Sequence, residues 1–281
     1  MNSTHFKKKN INIIKSSGLP ERFSPIKLHN SLKHCGLSPH RSKYIVNEVT
    51  RHVKAGTSTK DIYRQAFKLV HQESNIAAVH YSLKRAILDL GPSGYAFEHF
   101  VAKYFEELGY QTQVSVVLQG KYVNHEVDVI AQTPSEKVYI ECKFHNTIGK
   151  KNDIKIALYV KARWDDLKAG KDGKDLMGFY LVSNTSFTQD VIDYARGTGL
   201  KLLGVNAPQG ESFIDRIKRY KLYPITSIKR LKKYICQELI SQGILTCKEL
   251  LHNEEVLKKL GLKENEIDLI FRDIHQLIED N

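Results

Sequence analysis

The sequence predicts an α/β chain of several domains: an N-terminal helical bundle with a small β lid, a central α/β domain and a C-terminal helical region. Three observations predict this order. Helical spacing of apolar residues runs through residues 25–90 and again through 223–281, and between these regions two runs alternate polar with apolar residues as strands do. With 281 residues and 41% hydrophobic content, the chain is long enough for two or three domains. The expected boundaries are a basic tail at 1–10, the bundle at 11–91, the α/β domain at 92–222 and the helical appendage at 223–281.

The N-terminal region begins with a hairpin followed by four helices. Ser16-Ser17-Gly18 is a turn signal between two apolar runs, and Ser24-Pro25 provides a helix cap and a first helical position. Ser58 provides a second cap, with an acid in the first turn after it. The expected helices span residues 25–34, 39–54, 59–72 and 76–90.

A helix beginning near Tyr95 opens the central domain. Its apolar residues include Val101 and Phe105, and Glu98 lies on the same stripe. A carboxylate on a core-facing stripe is costly unless it is paired or binds a metal. Glu98 is therefore a candidate functional residue.

The strand-like runs at 126–130 and 138–144 predict a β-hairpin. If its turn is centred between Pro134 and Ser135, Asp128 lies opposite Glu141 and Glu126 lies opposite Lys143, on one face of the sheet. The apolar residues of the two strands then fill the other face; these are Val127, Val129, Ile140 and Cys142.

Two carboxylates directly opposite each other destabilise a sheet unless a positive charge neutralises them. Oxygen ligands suit Mg²⁺, or Mn²⁺ in its place, and such an ion activates water and stabilises a leaving oxygen. Lys143 would hold that water or offset charge on a phosphate. The expected metal ligands are Asp128, Glu141 and Glu98, and Lys143 completes the expected catalytic set.

These residues resemble the PD-(D/E)xK nuclease fold in its Mrr-like restriction endonuclease branch, over about 94–206. The family's Gly-x-x-Phe-Glu helix is met by Gly94, Phe97 and Glu98, its Asp by Asp128, and its Glu-x-Lys by Glu141 and Lys143. A strand at 178–183, a helix at 188–196 and a strand at 200–205 follow in the family's order. The resemblance implies a metal-dependent endodeoxyribonuclease that acts on DNA.

The stretch from about Ile11 to Leu90 resembles the ATP-cone, a nucleotide-binding regulatory domain of ribonucleotide reductases. The resemblance rests on the lysine-containing turn, on residues 56–59 leading into a helix, and on residues 77–86. It implies ATP or dATP as an allosteric effector. The implied contacts are Lys15, Glu21, Lys27, Thr59 and Lys84, with Arg85 as an alternative to the last. Ser16 and His80 stand where the family usually has arginine.

Charge and composition narrow the class of partner. A formal net charge of +12 and a pI near 9.3 favour a polyanion such as DNA. No segment has the roughly 20 apolar residues that a membrane span needs, and Lys7-Lys8-Lys9 is not followed by a signal core. We therefore expect a cytoplasmic protein that does not bind membranes. The four cysteines lack paired metal spacing, so we expect reduced thiols.

Two further segments are basic. The helix after the second catalytic strand carries several cations that would follow a phosphate backbone or form an ordinary solvated face: Lys155, Lys161, Arg163 and Lys168. In the C-terminal region, breaks at Gly243 and Gly261 predict a small helical hairpin whose first helix is basic through residues 229–233. Non-specific DNA binding, self-association and packing against the nuclease domain all stay open for this region.

Together these features predict a nucleotide-regulated DNA endonuclease that assembles as a homo-oligomer. A catalytically silent nucleotide sensor that binds DNA is the alternative of a different class. A repair nuclease that acts on branched or damaged DNA would use the same residues. Hydrolysis of the nucleotide is not expected, because the chain has no Gly-x-x-x-x-Gly-Lys-Ser/Thr phosphate loop.

Overall fold

The computed structural model describes residues 11–15, 17–147 and 149–279. The predicted tail at 1–10, with Lys7-Lys8-Lys9, and Ser16 of the predicted turn lie outside these residues. The chain divides into two compact units, one up to Leu83 and one from Lys84 onward. None of the helices in the described part of the chain could span a bilayer.

The first unit contains the predicted hairpin and the first three predicted helices, and its boundary with the second unit falls within the fourth. Strands β1 (Asn12–Ile14) and β2 (Pro20–Arg22) pair antiparallel. The helices are α1 (Pro25–Lys33), α2 (Pro39–His52), α3 (Thr59–Glu73) and α4 (Asn75–Leu88). The predicted bounds are confirmed to within about two residues because local signals set them. Ser24 Oγ accepts from Lys27 N at 3.3 Å, and Ser58 Oγ accepts from Asp61 N at 3.0 Å.

The hairpin of the first unit is joined to the loop between α2 and α3. Ile14 forms a parallel bridge with Ser58, and its N–H donates to the Thr57 carbonyl at 3.0 Å. Gly56 N–H donates to the Asn12 carbonyl at the same distance. The end of β1 therefore lies beside the beginning of α3.

The second unit is built on a mixed five-stranded sheet in the order β3-β4-β5-β7-β9. The strands are β3 (Gln111–Gln119), β4 (Asn124–Gln132), β5 (Lys137–Lys143), β7 (Gly178–Ser183) and β9 (Lys201–Gly204). The first three are antiparallel, whereas β5, β7 and β9 are parallel. The predicted hairpin is β4–β5, and β3 adds an edge strand beyond the predicted elements.

Helices cover both faces of this sheet. On one face lies α5 (Tyr95–Glu107), whose Phe105 ring meets Tyr180 of β7 at 5.3 Å. The other face bears α6 (Ile154–Ala169) and α7 (Gln189–Thr198), packed on the neighbouring β7 residues Phe179 and Leu181. A short parallel pair, β6 (Lys151–Asn152) and β8 (Ser186–Phe187), flanks α6, and α8 (Phe213–Arg219) follows β9.

The C-terminal region contains four helices, so the predicted two-helix hairpin is wrong. After a 3-10 turn at Ile225–Ser227 come α9 (Lys233–Ser241), α10 (Cys247–Leu251), α11 (Glu254–Lys259) and α12 (Glu264–Glu279). Most of the predicted basic helix precedes α9, because the backbone is extended at Lys232. Two ion pairs join α10 to α5, Lys248 with Glu107 at 2.7 Å and Lys103 with Glu249 at 3.3 Å. This region thus packs on the domain that contains the five-stranded sheet.

Candidate active site

The register between β4 and β5 is the predicted one. Val129 pairs with Ile140 and Gln132 with Lys137, which is the register that sets Asp128 against Glu141. In the described residues the paired positions between these strands end at Val129 and Ile140. The main-chain N–H of Cys142 donates to Oδ2 of Asp128 at 2.7 Å. The Asp128 side chain therefore reaches across the sheet at the point where the two strands part.

The strand β4 changes direction at Asp128, which corrects one prediction. Val127 packs in the cluster beneath α6 that also contains Ile130, whereas the sequence placed Val127 on the face of Val129. On β3, the residue across from Asp128 is Ser115, with φ 55°. This left-handed backbone interrupts the alternation of faces. Glu126 accordingly does not pair with Lys143 as predicted.

Glu141 is held by two donors on the α6 side of the sheet. Oε2 of Glu141 accepts from Arg163 at 2.5 Å and from the Tyr139 hydroxyl at 2.7 Å. Arg163 belongs to α6, is 8% exposed, and also donates to the main-chain carbonyl of Glu126. One guanidinium therefore joins β4 to β5 across the opening between them.

The sequence left a phosphate-following face and a solvated face both open for the four cations of this helix, and three of them contact groups of the protein. Arg163 is buried against Glu141, Lys161 pairs with Asp165 at 2.6 Å, and Lys168 donates to the carbonyls of residues 174 and 176. Arg163 faces the sheet, whereas Lys161 pairs with an exposed residue one turn further along the same helix. Lys155 remains exposed.

The carboxylates influence one another from three elements. Burial, and then the neighbouring Asp128, raises the pKa of Glu141 to about 7. Burial, and then Asp128, Glu126 and Glu141, raises the pKa of Glu98 to about 7. Burial also raises the pKa of Asp128. We call these four residues the acid cluster. The raised pKa values of Glu98, Asp128 and Glu141 follow from the cost of placing like charges in a partly buried site.

Glycine makes room for the helical member of the acid cluster. A Cβ built on Gly94 would lie 3.0 Å from Oε1 of Glu98, so any larger residue would press on that carboxylate. The ring of Phe97 packs at 5.6 Å from Phe144, just beyond β5. Glu98 is thus held beside the end of β5.

The chemistry of the donors fits a hard divalent cation, although the side chains do not converge on one point. Within the described ranges, no group of three or more His, Cys, Asp or Glu residues is arranged to hold an ion. Arg163 uses an oxygen of Glu141 and the Cys142 N–H uses an oxygen of Asp128. A cation would lower the raised pKa values, because it favours the ionised carboxylates. Asp128, Glu141 and Glu98 are the residues that would hold it.

A buried polar network lies behind Lys143, and the sequence did not predict it. Ser183 Oγ donates to the Lys143 carbonyl at 2.7 Å, and Asn152 Nδ2 donates to Ser183 Oγ at 2.9 Å. Asn152 Oδ1 lies 2.8 Å from Nε2 of His145, whose main chain exchanges two hydrogen bonds with Asn184. The polar run at 183–186 after a predicted strand is the signal in the sequence. The network fixes the end of β5, and with it the stem of Lys143.

His125 does not belong to the acid cluster. Its Nε2 lies 2.8 Å from Oδ2 of Asp166 on α6, so the side chain contacts the helix at the beginning of β4.

The residues assigned to nucleotide contact partly meet in the first unit. Glu21 pairs with Lys27 at 2.6 Å and with Lys15 at 3.4 Å. The hydrogen bond from Lys27 lowers the pKa of Glu21. Thr59 is the first residue of α3, next to the Ser58 that bridges to β1. Lys84 lies on α4. We call Lys15, Glu21 and Lys27 the hairpin lysine cluster.

Comparisons with known proteins agree with the central and C-terminal regions. Residues 91–209 match the family described as restriction endonuclease, and residues 223–278 match the family described as AF1548-like, C-terminal. Both ranges lie after residue 90, so neither supports the ATP-cone resemblance.

A relative shows the family to which the chain belongs. An uncharacterized protein of Archaeoglobus fulgidus is 35% identical over 166 residues, which cover 58% of this chain and 90% of the relative. The crystal structure of the protein of unknown function AF1548 matches with a TM-score of 0.55 and 32% identity, over 67% of this chain and all of that one. This chain therefore belongs to the same family, in which a restriction endonuclease domain precedes an AF1548-like C-terminal domain.

A more distant structure is Can2 from Sulfobacillus thermosulfidooxidans in complex with cyclic tetra-adenylate. It matches with a TM-score of 0.33 and 13% identity, over 69% of this chain and 54% of that one. A similarity this low supports no statement about this chain.

Proposed function

We propose that this chain is a Mg²⁺-dependent endonuclease that hydrolyses phosphodiester bonds in DNA, with Mn²⁺ able to replace Mg²⁺. The observation that carries this proposal is the acid cluster, in which three buried or half-buried carboxylates with raised pKa values lie where β4 and β5 part. Such a cluster is costly to keep in an apo protein and becomes favourable with a cation. Because the cluster lies within residues 91–209, which match the restriction endonuclease family, we expect the cation to serve in phosphodiester hydrolysis.

Each residue has a distinct task in the proposed reaction. Asp128, Glu141 and Glu98 would hold the ion, which supplies an activated water and stabilises the leaving oxygen. Lys143, on the same strand face as Glu141, places its ammonium group beside the scissile phosphate and offsets the charge that develops there. Arg163 positions Glu141, and the network of Asn152 and Ser183 positions the main chain of Lys143.

A catalytically silent DNA-binding regulator is the main alternative. It has no use for mutually repelling acids in a half-buried site, because removing them would stabilise the fold. A repair nuclease acting on branched or damaged DNA uses the same acid cluster, so the choice between these substrates depends on the surface around it.

The direct test compares the full chain with Asp128→Ala on methylated and unmethylated supercoiled plasmid, with Mg²⁺, Mn²⁺ or EDTA. We expect cleavage by the wild type with either ion and a loss of at least about 10³-fold in the variant. A matched control is Asp175→Ala, because Asp175 forms an exposed ion pair with Lys137. Equal cleavage by wild type and Asp128→Ala would refute the assignment.

We also propose that ATP or dATP binds the first unit as an effector. Glu21 of the hairpin holds Lys15, which follows β1, and Lys27 of α1. The hairpin is bonded to the loop before α3, and a helix N-terminus favours phosphate. Lys15, Glu21, Lys27 and Thr59 would contact the nucleotide, whereas Lys84, the fifth contact expected from the sequence, is the first residue of the second unit. The effector would act through different affinities for two assemblies of a homo-oligomer.

Two measurements on the full chain test the effector role. Calorimetric titration with ATP and dATP gives affinity, and light scattering with and without nucleotide gives the size of the assembly. We expect binding without hydrolysis and a change in mass. Absence of binding, or binding with no change in mass or in the cleavage rate, would exclude it.

A further inference from the structure

An exposed aromatic ring lies next to the acid cluster on α6. Tyr159 is 55% exposed, and its ring lies 5.3 Å from Cζ of Arg163, the residue that binds Glu141. Tyr159 therefore stands one helical turn from the Arg163–Glu141 pair while its outer face is open to solvent. Single exposed aromatic residues are common on protein surfaces, so this ring alone indicates nothing.

A second exposed ring lies on the loop between β3 and β4, which is bonded to Asp166, three residues after Arg163 on α6. Tyr122 is 77% exposed, and Nζ of Lys121 lies 4.8 Å from the centre of its ring. A base stacked on Tyr122 would have its phosphate near this lysine. The loop thus combines the two groups that bind a nucleotide without reading its sequence.

The loop that carries Tyr122 is fixed rather than merely exposed. Asp166 of α6 accepts hydrogen bonds from the main-chain N–H groups of Tyr122 at 3.0 Å and Val123 at 3.4 Å. A Cβ built on Gly120 would lie 2.1 Å from Oδ2 of Asp166, so this close approach requires glycine. The helix therefore holds the loop in a shape that keeps the tyrosine outward.

The two rings and the acid cluster form a row along α6. Residues 159, 163 and 166 are spaced i, i+4 and i+7, so they share one helix face, and they span roughly 10 Å at 1.5 Å per residue. Tyr159 is at one end of this row, Arg163 with Glu141 is in the middle, and the Asp166-bound loop is at the other end. We call this row the tyrosine track.

We propose that the tyrosine track binds a single strand of DNA, with unpaired bases on both sides of the phosphate to be cut. Every base offers a face for stacking only when it is unpaired, because pairing in a duplex hides that face between neighbours. The chain's net charge of +12 favours the same polyanion. This inference rests on the proposed nuclease function and specifies its substrate as single-stranded or splayed DNA.

The test measures binding of the full chain in EDTA, so that no cleavage is needed. The probes are a fluorescent 20-nucleotide single strand and a blunt duplex hairpin, read by anisotropy at fixed salt. Tyr122→Ala and Tyr159→Ala should each weaken single-strand binding about 5- to 100-fold and change duplex binding less than about twofold. Tyr122→Phe and Tyr159→Phe keep the ring and should restore binding.

Tyr234→Ala is the matched control, because Tyr234 is 58% exposed on α9 and lies outside the track. Equal losses for single strand and duplex would overturn the proposal, and so would a loss in the phenylalanine variants or an equal loss in Tyr234→Ala. Failure of the nuclease function is distinguishable. If Asp128→Ala leaves cleavage unchanged while the tyrosine variants still lose single-strand binding, the track stands and the catalytic assignment falls.

Discussion

The acid cluster and the hairpin lysine cluster place the same residue type in opposite situations. Glu141 lies in a half-buried site where burial and a second acid raise its pKa to about 7, even though Arg163 binds it. Glu21 lies on an exposed hairpin where the hydrogen bond from Lys27 lowers its pKa. The protein around Glu141 therefore disfavours the ionised carboxylate, whereas the protein around Glu21 favours it.

This difference separates strong evidence for a site from weak evidence. An exposed ion pair contributes only about 0 to 1 kcal/mol and occurs on most protein surfaces, so the hairpin lysine cluster resembles an ordinary surface network. A buried group of like charges needs a further positive charge to stabilise it, such as a bound cation. The nuclease proposal therefore rests on firmer physical ground than the nucleotide proposal.

The largest expected effect is on the rate of DNA cleavage, which should depend on the residues around the acid cluster and not on the hairpin lysine cluster. Lys143→Met should lower the rate of plasmid cleavage by about 10²- to 10³-fold, because the charge that forms on the phosphate loses its partner. The measurement is a single-turnover rate with saturating Mg²⁺. Lys137→Met is the control on the same strand. Lys137 pairs with exposed Asp175, so this variant should cleave the plasmid at the wild-type rate. A Lys143→Met rate within tenfold of wild type would contradict the assigned role.

The next effect concerns the stability of the second unit. Arg163→Met leaves the Glu141 carboxylate and the Glu126 carbonyl without their buried donor, so the free energy of unfolding should fall by about 3 to 5 kcal/mol. In a unit of this size the melting temperature should drop by roughly 10 °C. Calorimetry of the full chain measures this drop.

The control for this variant is Arg219→Met, which breaks an exposed pair with Glu211 and should cost less than about 1 kcal/mol. If Arg163→Met and Arg219→Met lower the melting temperature equally, Arg163 does not hold the opening between β4 and β5. Arg163→Lys keeps the charge but loses the two-pronged contact, so it should lie between wild type and Arg163→Met.

The pH dependence of stability offers a direct comparison of the two glutamates. The folded pKa of Glu141, about 7, lies above its ordinary value of 4.5, so the folded state binds the extra proton between these values. The contribution of Glu141 to the free energy of unfolding is therefore fully present at low pH and is lost as the pH rises from about 4.5 to 7. Melting temperatures are measured in EDTA at pH 5.5 and pH 8. The decrease from pH 5.5 to pH 8 should be a few degrees larger for the wild type than for Glu141→Gln.

Glu21→Gln is the matched control for this experiment. The pKa of Glu21 is lowered, so its contribution is lost only when pH falls below about 4.5, and the variant should follow wild type between pH 5.5 and 8. Mg²⁺ should restore wild-type stability at pH 8 more than at pH 5.5, because the cation binds the ionised acids. Parallel curves for wild type and Glu141→Gln would remove the electrostatic support for a metal site.

The smallest effect tests whether the hairpin lysine cluster has a ligand. Lys27→Ala should weaken ATP binding about tenfold through the loss of one charged hydrogen bond, while stability changes by less than about 1 kcal/mol. Titration calorimetry measures the affinity. Lys33→Ala, at the exposed end of α1, is the control and should bind ATP as wild type does. Equal affinities for Lys27→Ala and wild type would leave the cluster as an ordinary surface network.

The sequence determined the helices of the first unit, the β4–β5 hairpin and the identity of the acids, but neither strand β3 nor the four C-terminal helices. Serine caps at 24 and 58 set helix starts, and alternation set the β4–β5 register, because these signals act within a few residues. The candidate catalytic residues Glu98, Asp128, Glu141 and Lys143 were named from the same local patterns.

Only the tertiary structure decided how those residues are supported. In the sequence, Arg163 is one of several cations on a helix. In the structure, α6 crosses the sheet and buries Arg163 against Glu141, 22 residues away in sequence. Asn152 meets Ser183 across 31 residues, and the turn at Asp128 depends on Ser115 of a strand beyond the predicted hairpin. Periodicity records which side of an element faces inward, but the identity of the partner on that side depends on how distant elements pack.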